Sequence, residues 1–261
     1  MDLKLEGKYA LVTGGTHGIG KSIALALADE GCNICVCSRN AERVKKTEGE
    51  LRQKGVDVLA LQADVTIKED IDNIVDKIIA EWGTVHILIN NAGGGGRWGK
   101  EVVEETDEEV WIEVYNKNVL SAIRFTNKVL PFMRRQKWGR VVAITSIFGR
   151  EAGARPWFST AKTAQTALIK SLARKSYLIQ DGITFNSIAP GAIMIPGTGW
   201  EKELKENPKQ VEEFIDRELP LGRFGKPEEI AQVVVFICSE QASLLNGASI
   251  PVDGAQGRSI L

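Results

Sequence analysis

The run Thr13-Gly14-Gly15-Thr16-His17-Gly18-Ile19-Gly20 joins a short apolar segment, Tyr9 to Thr13, to an amphipathic one that begins at Gly18. Glycines let a backbone turn tightly and approach a pyrophosphate, and the unpaired N–H groups of a helix start attract the anion. A glycine-rich turn alone also suits an ordinary strand-to-helix loop. Its place after the first expected strand makes Gly14, Thr16, His17, Gly18, Ile19 and Gly20 a candidate phosphate cradle. About 20 residues beyond such glycines an acidic residue would bind the ribose 2′-hydroxyl of NAD. Here the chain carries Ser38-Arg39 and no acid. An arginine there can pair with a 2′-phosphate, bidentate and always charged, with His17 placed to help; the alternative is a guanidinium solvated at the next helix start. NADP(H) is favoured over NAD(H).

The elements that must hold these residues alternate in type. Expected strands are Tyr9 to Thr13, Asn33 to Ser38, Val56 to Gln62, Val85 to Asn90, Arg140 to Thr145, Ile183 to Ala189 and Ser249 to Val252. Expected helices cover Gly18 to Glu30, Ala41 to Lys54, a segment opened by a capping box at Thr66-Ile67-Lys68-Glu69, and one opened by Thr106-Asp107-Glu108-Glu109 that runs with a break to about Gln136. A long helix is expected from Phe158 to Gln180, and another opens at Pro227. This rhythm demands a parallel sheet covered on both faces, a doubly wound α/β domain of about seven strands. No linker or repeat divides residues 1–261, so one domain is expected. The stretch at about 193–221 interrupts the alternation and has the character of a lid.

Composition closes off other classes. A net charge of −1 argues against a dedicated nucleic-acid binder, and no apolar run reaches the length of a membrane span. The polar start, Met1 to Lys8, carries no signal-peptide pattern, which points to a cytoplasmic protein. Cys32, Cys35, Cys37 and Cys238 lack the partners of a metal site and are expected as buried thiols; no metal is expected.

The chain resembles the short-chain dehydrogenase/reductase family, and within it the 3-oxoacyl carrier-protein reductases and the sugar or polyol dehydrogenases. The resemblance rests on the glycine turn, Asn90-Asn91-Ala92-Gly93, Asn118, Ser146, Lys162, Pro190-Gly191 and Val252-Asp253-Gly254, in order along nearly the whole chain. It implies a cofactor site in which Asp64 and Val65 border the adenine, Asn91 the adenosine ribose, Pro190 and Gly191 the nicotinamide side, and Ile193 the carboxamide, with Ala92 and Gly93 also against the cofactor. It also implies catalytic roles: Ser146 bonds the substrate oxygen, Lys162 holds the nicotinamide ribose, and Asn118 anchors a water that links the lysine to solvent. A homotetramer is implied as well, packed through the long helix with its Ala161, Ala164, Ala167 and Leu168.

One position departs from the family pattern. Where a tyrosine four residues before the lysine would donate the proton, this chain has Phe158. Three explanations stay open: an introduced Tyr→Phe exchange, a native phenylalanine with water or substrate handling the proton, or a nucleotide-binding regulatory protein that reduces nothing. The expected substrate is a small carbonyl or alcohol compound, with Trp98, Trp157 and Trp200 as candidate walls and Arg150 and Arg155 as candidate anion partners.

Overall fold

The structure is a computed structural model and describes residues 1–260. Among these, seven strands form one parallel sheet: β1 (Tyr9–Thr13), β2 (Asn33–Ser38), β3 (Val58–Gln62), β4 (Ile87–Asn90), β5 (Gly139–Ile144), β6 (Ile183–Pro190) and β7 (Ser249–Val252). Their spatial order is β3-β2-β1-β4-β5-β6-β7. The order reverses between β1 and β4, so the loops leaving the carboxyl ends of these two strands part and leave a crevice, the usual ligand position in such sheets.

Period-two alternation decides which face each strand residue serves. Ala10, Val12, Ile34, Val36, Ile87 and Ile89 join one core, closed by α1 (Gly18–Asp29), α2 (Ala41–Arg52) and α10 (Pro227–Cys238). Leu11, Cys35, Cys37, Leu88 and Val141 join the opposite core, closed by α3 (Lys68–Trp82), α5 (Ser121–Arg135) and α6 (Pro156–Leu172). All four cysteines are free and buried. Burial pushes the Cys32 and Cys37 thiols up to about 12, which leaves them protonated and unreactive.

Several local expectations give way to longer-range partners. Thr66 does not cap α3: its hydroxyl bonds the Asp64 carboxylate at 2.7 Å. Thr106 likewise bonds the backbone of Lys100 and Val102, and α4 (Glu108–Tyr115) begins without a side-chain cap. The expected break before α5 is a continuous π-helical turn, Asn116–Leu120. The expected long helix ends at Leu172 and is followed by a separate short α7 (Ser176–Ile179). Ala161 faces the interior with Val114, Val119 and Trp157, and so does not belong to an outer surface.

The lid segment folds as two helices, α8 (Gly199–Glu206) and α9 (Pro208–Glu218), around Val211, Leu219 and Phe224 with the Trp200 and Phe214 rings. Its two ends are joined by a bridge between Ile193 and Gly225.

Candidate active site

A cleft of about 570 Å³ opens at the crevice between β1 and β4. Gly14, His17, Gly18, Ile19 and Gly20 form one wall. Gly14 and Gly18 have φ of +63° and +53°, and a Cβ at Gly14 would stand 3.2 Å from the Ala92 backbone, so glycine is required for the turn itself. His17 is the N-cap of α1 and makes no side-chain cap bond, which leaves the first helical N–H groups to an anion. Thr16 is placed differently from the sequence expectation: it is buried and not among the residues lining the cleft.

Ser38, Arg39, Asp64 and Val65 line the outer end. The Arg39 side chain is 65% exposed, and its ion pair with Asp64 is long, 3.6 Å. Such an exposed pair contributes little to stability and yields readily to a better anion. Burial favours the neutral acid at Asp64, but the Thr66 N–H and hydroxyl, with Arg39, hold its carboxyl below the usual range. Two cations that the sequence reading passed over join this wall, Arg43 and Lys117. Arg43 lies four residues after Arg39, a spacing that could have pointed to it. The Lys117 ammonium sits 4.6 Å above the Trp98 ring. Nothing in the local sequence marks that contact.

Asn91, Ala92 and Gly93 form the floor. The Asn91 amide donates to the Thr13 carbonyl at 2.8 Å, so it ties the end of β4 to the glycine turn as well as facing the cleft. Pro190, Gly191 and Ile193 close the far side, with Ile195 and Trp200 from the lid. His17 Nε2 meets the Pro196 carbonyl at 2.9 Å, a contact between turn and lid.

Ser146, Phe158 and Lys162 converge at the inner end. Ser146 sits just beyond β5, where its Oγ accepts from the Phe148 N–H at 3.2 Å and its own proton can donate into the cleft. Phe158 and Lys162 are one turn apart on α6, and the Lys162 ammonium lies 5.7 Å from the Phe158 ring centroid. Lys162 is buried and donates to the Ile144 carbonyl at 3.0 Å and to Gln165 Oε1 at 2.9 Å. Burial, with a smaller contribution from the Lys117 cation, pushes its pKa down to about 7.

Asn118 lies behind the wall, fully buried in the π turn. Its Nδ2 donates to the Val114 carbonyl four residues back and to the Gly94 carbonyl, both at 2.8 Å. The side chain thereby replaces a backbone donor in the helix ladder, which accounts for the wider turn. Gly93 separates Asn118 from Lys162: a Cβ there would stand 2.6 Å from Asn118 Oδ1 and 3.1 Å from Lys162 Nζ.

Other expected wall residues serve the scaffold. Trp157 is fully buried against Trp111. Arg155 donates to the carbonyls of Arg97, Trp98 and Gly99, holding the loop after β4. Arg150 donates to the Ser249 carbonyl outside the cleft. Arg97 instead links loop and lid, paired with Glu203 at 2.9 Å and stacked 4.7 Å from the Trp200 ring. No cluster of residues suited to a metal occurs among the described residues.

The dinucleotide fits this cleft. The glycine turn leaves room where any Cβ would intrude, uncapped helix N–H groups face it, and cations gather at the outer end. Comparisons agree with that geometry. A family described as enoyl-(acyl carrier protein) reductase matches residues 14–255. The chain is 34% identical over 251 residues to a 3-oxoacyl-(acyl-carrier-protein) reductase FabG of Staphylococcus aureus, covering 95% of this chain and 97% of that protein. It is 34% identical over 257 residues to the same reductase of Aquifex aeolicus, covering 97% and 99%. Among solved structures it superposes on L-sorbose reductase from Gluconobacter frateurii, complexed with NADPH and L-sorbose, with TM-score 0.92, 32% identity and full coverage of both chains.

Proposed function

The chain belongs to the short-chain dehydrogenase/reductase family, and from that premise we propose that it is an NADP-dependent oxidoreductase acting on a small carbonyl or alcohol substrate. One observation carries the reading. A single cleft joins an anion-binding turn, a cationic outer end with Arg39 and Arg43, and an inner end with Ser146 and Lys162. The exposed Arg39, at the end of β2 where an acid would meet a 2′-hydroxyl, supports NADP(H) over NAD(H).

When bound, the reduced nicotinamide supplies the hydride. The residues of the chain must hold the substrate oxygen and deliver a proton to it. Ser146 has its hydroxyl proton available to donate to that oxygen, because Oγ already accepts from Phe148. Phe158 keeps an aromatic wall but has no proton to give. Lys162, titrating near neutrality, is the ionisable group at this end of the cleft, and Asn118 fixes the loop that borders it. The two lid anchors, Arg97 to Glu203 and His17 to Pro196, draw α8 over the cleft, a position suited to excluding water.

Binding and turnover test the proposal. NADPH should bind at least tenfold tighter than NADH in a fluorescence titration. NADPH oxidation should then appear with some member of a panel of ketoses, sugar acids, 3-oxoacyl thioesters and oxosteroids. Tight NADPH binding with no turnover across the panel would favour the second reading, a nucleotide-binding regulatory protein, which Phe158 makes worth testing. Assembly as a homotetramer is proposed with the same premise; Ala167 is exposed on α6, and Tyr177 is 53% exposed on α7. Light scattering with only monomer at micromolar concentration would refute it.

A further inference from the structure

Gln165 is a polar side chain in an apolar place. It is 1% exposed on the inner face of α6, three residues after Lys162. Its Oε1 accepts from Lys162 Nζ at 2.9 Å. Its Nε2 is buried and has no hydrogen-bond partner among the described residues. A leucine would fill similar volume without burying an unpaired donor, which is an unfavourable arrangement in a core. A purely structural role does not account for the amide.

The pairing with Lys162 does. An ammonium has three donors and no acceptor, so it must face the amide oxygen. A neutral amine has a lone pair, which the amide N–H can satisfy. The last torsion of glutamine is broad and roughly two-fold, so the amide can turn over in place. Turning over sacrifices no bond at Nε2, because none is made there. The Ile144 carbonyl, 3.0 Å away, fixes the lysine nitrogen from the other side in the meantime.

We propose that Gln165 is a positioning residue for Lys162, presenting its carbonyl to the ammonium and its N–H to the free amine, so that Lys162 can release and regain the proton that Phe158 cannot supply. The proposal rests on the reductase reading above. In the reducing direction the carbonyl carbon gains the hydride of the nicotinamide, a Lys162 N–H bond breaks, and an O–H bond forms on the substrate, directly or through one water. The neutral lysine then recovers a proton from solvent by way of the cleft. The charged group that acts on Lys162 from the elements packed around it is Lys117 of the π turn. Arg150 and Glu151 line a separate hollow with Ser159, Thr160 and Thr163. The lowered pKa of Lys162, about 7, suits a group that must exist in both forms at neutral pH.

The test does not depend on turnover. With ¹³C-labelled lysine, the Lys162 Cε resonance is identified by its loss in Lys162→Met and titrated by NMR in the apoprotein. Gln165→Leu removes the acceptor of the ammonium and should lower the midpoint by about one pH unit, a tenfold change in ionisation constant; Gln165→Glu should raise it by at least as much. Gln165→Met, equally unbranched, serves if the leucine variant does not fold. The pH profile of carbonyl reduction should move in the same direction in each variant, with the affinity for NADPH within about twofold of the parent. Unchanged Lys162 midpoints in the folded variants would overturn the proposal, as would midpoints that move while the profile of an active enzyme stays fixed. Midpoints that move as expected in a protein that reduces no carbonyl would uphold the Gln165–Lys162 pairing and refute the proton delivery, and with it the reductase reading.

Discussion

Replacing Phe158 by tyrosine adds one hydroxyl to a ring already in place. The Lys162 ammonium is 5.7 Å from that ring's centroid. With the phenolate charge placed at the ring centroid and an effective dielectric of about 20, a unit cation at this distance attracts it by about 3 kcal/mol, or about two pKa units. A phenol near 10 thus behaves as an acid near 8 while the lysine is charged, which suits it to donate a proton near neutrality. A positioned general acid contributes about 10²–10⁴-fold, and Phe158→Tyr should raise turnover by about 10²-fold or more. The benefit has its own pH dependence. Lys162 titrates at about 7, so roughly nine-tenths of it is charged at pH 6 and roughly one-tenth at pH 8. The rate of the variant should therefore fall by several-fold across that interval. The assay is initial rates of NADPH oxidation for both proteins at saturating cofactor, with melting temperatures to verify folding. A folded, NADPH-binding variant with less than a tenfold gain at pH 6, or a variant whose rate rises between pH 6 and 8, would refute the reasoning.

Arg39→Ala should weaken NADPH by about tenfold or more, as loss of a charge-assisted contact implies, while NADH changes less than twofold; fluorescence titration measures both. Gly93→Ala forces a Cβ to within 2.6 Å of Asn118 Oδ1 and 3.1 Å of Lys162 Nζ, and a displacement near 1 Å at a site can remove about 10²-fold of rate, so turnover should fall by about that factor with the fold kept by circular dichroism. Lys162→Met should abolish activity in the parent yet stabilise the protein at neutral pH. Burial holds the lysine at about 7 against 10.5 in the unfolded chain, so the unfolded chain binds the extra proton between those values and parent stability rises with pH through that window. The advantage of Lys162→Met should narrow by about 1.4 kcal/mol per pH unit from pH 7 to 10.5, measured by urea unfolding; a gap that widens would contradict the buried-cation account.

Local pattern was enough to locate most of the frame. Short apolar runs placed all seven strands to within about two residues at each end, because the inner strands are buried on both sides and read as continuous hydrophobic blocks. The glycine turn and the missing phenol at Phe158 were equally legible, since both depend on residue type at fixed spacing. Helix punctuation was less so. Thr66 and Thr106 have the spacing of caps, but a carboxylate and a loop backbone compete for their hydroxyls, and those partners come into reach only in the folded chain. No glycine or proline marks the end of α6 at Leu172, where the Ala173 carbonyl accepts a bond from Asn246, distant in sequence.

The chemical site divides the same way. Sequence alone determined that Ser146, Lys162 and Asn118 occur in order and that an arginine follows β2. Tertiary structure decided what each one faces. It turned Trp157 and Arg155 to the scaffold, brought Arg43 and Lys117 to the cleft, and enclosed Lys162 between Ile144 and Gln165. The physical reason is desolvation. A residue's type fixes which bonds it can make, but the pKa of Lys162 and the unpaired amide of Gln165 arise only when the sheet and α6 close and remove water from both.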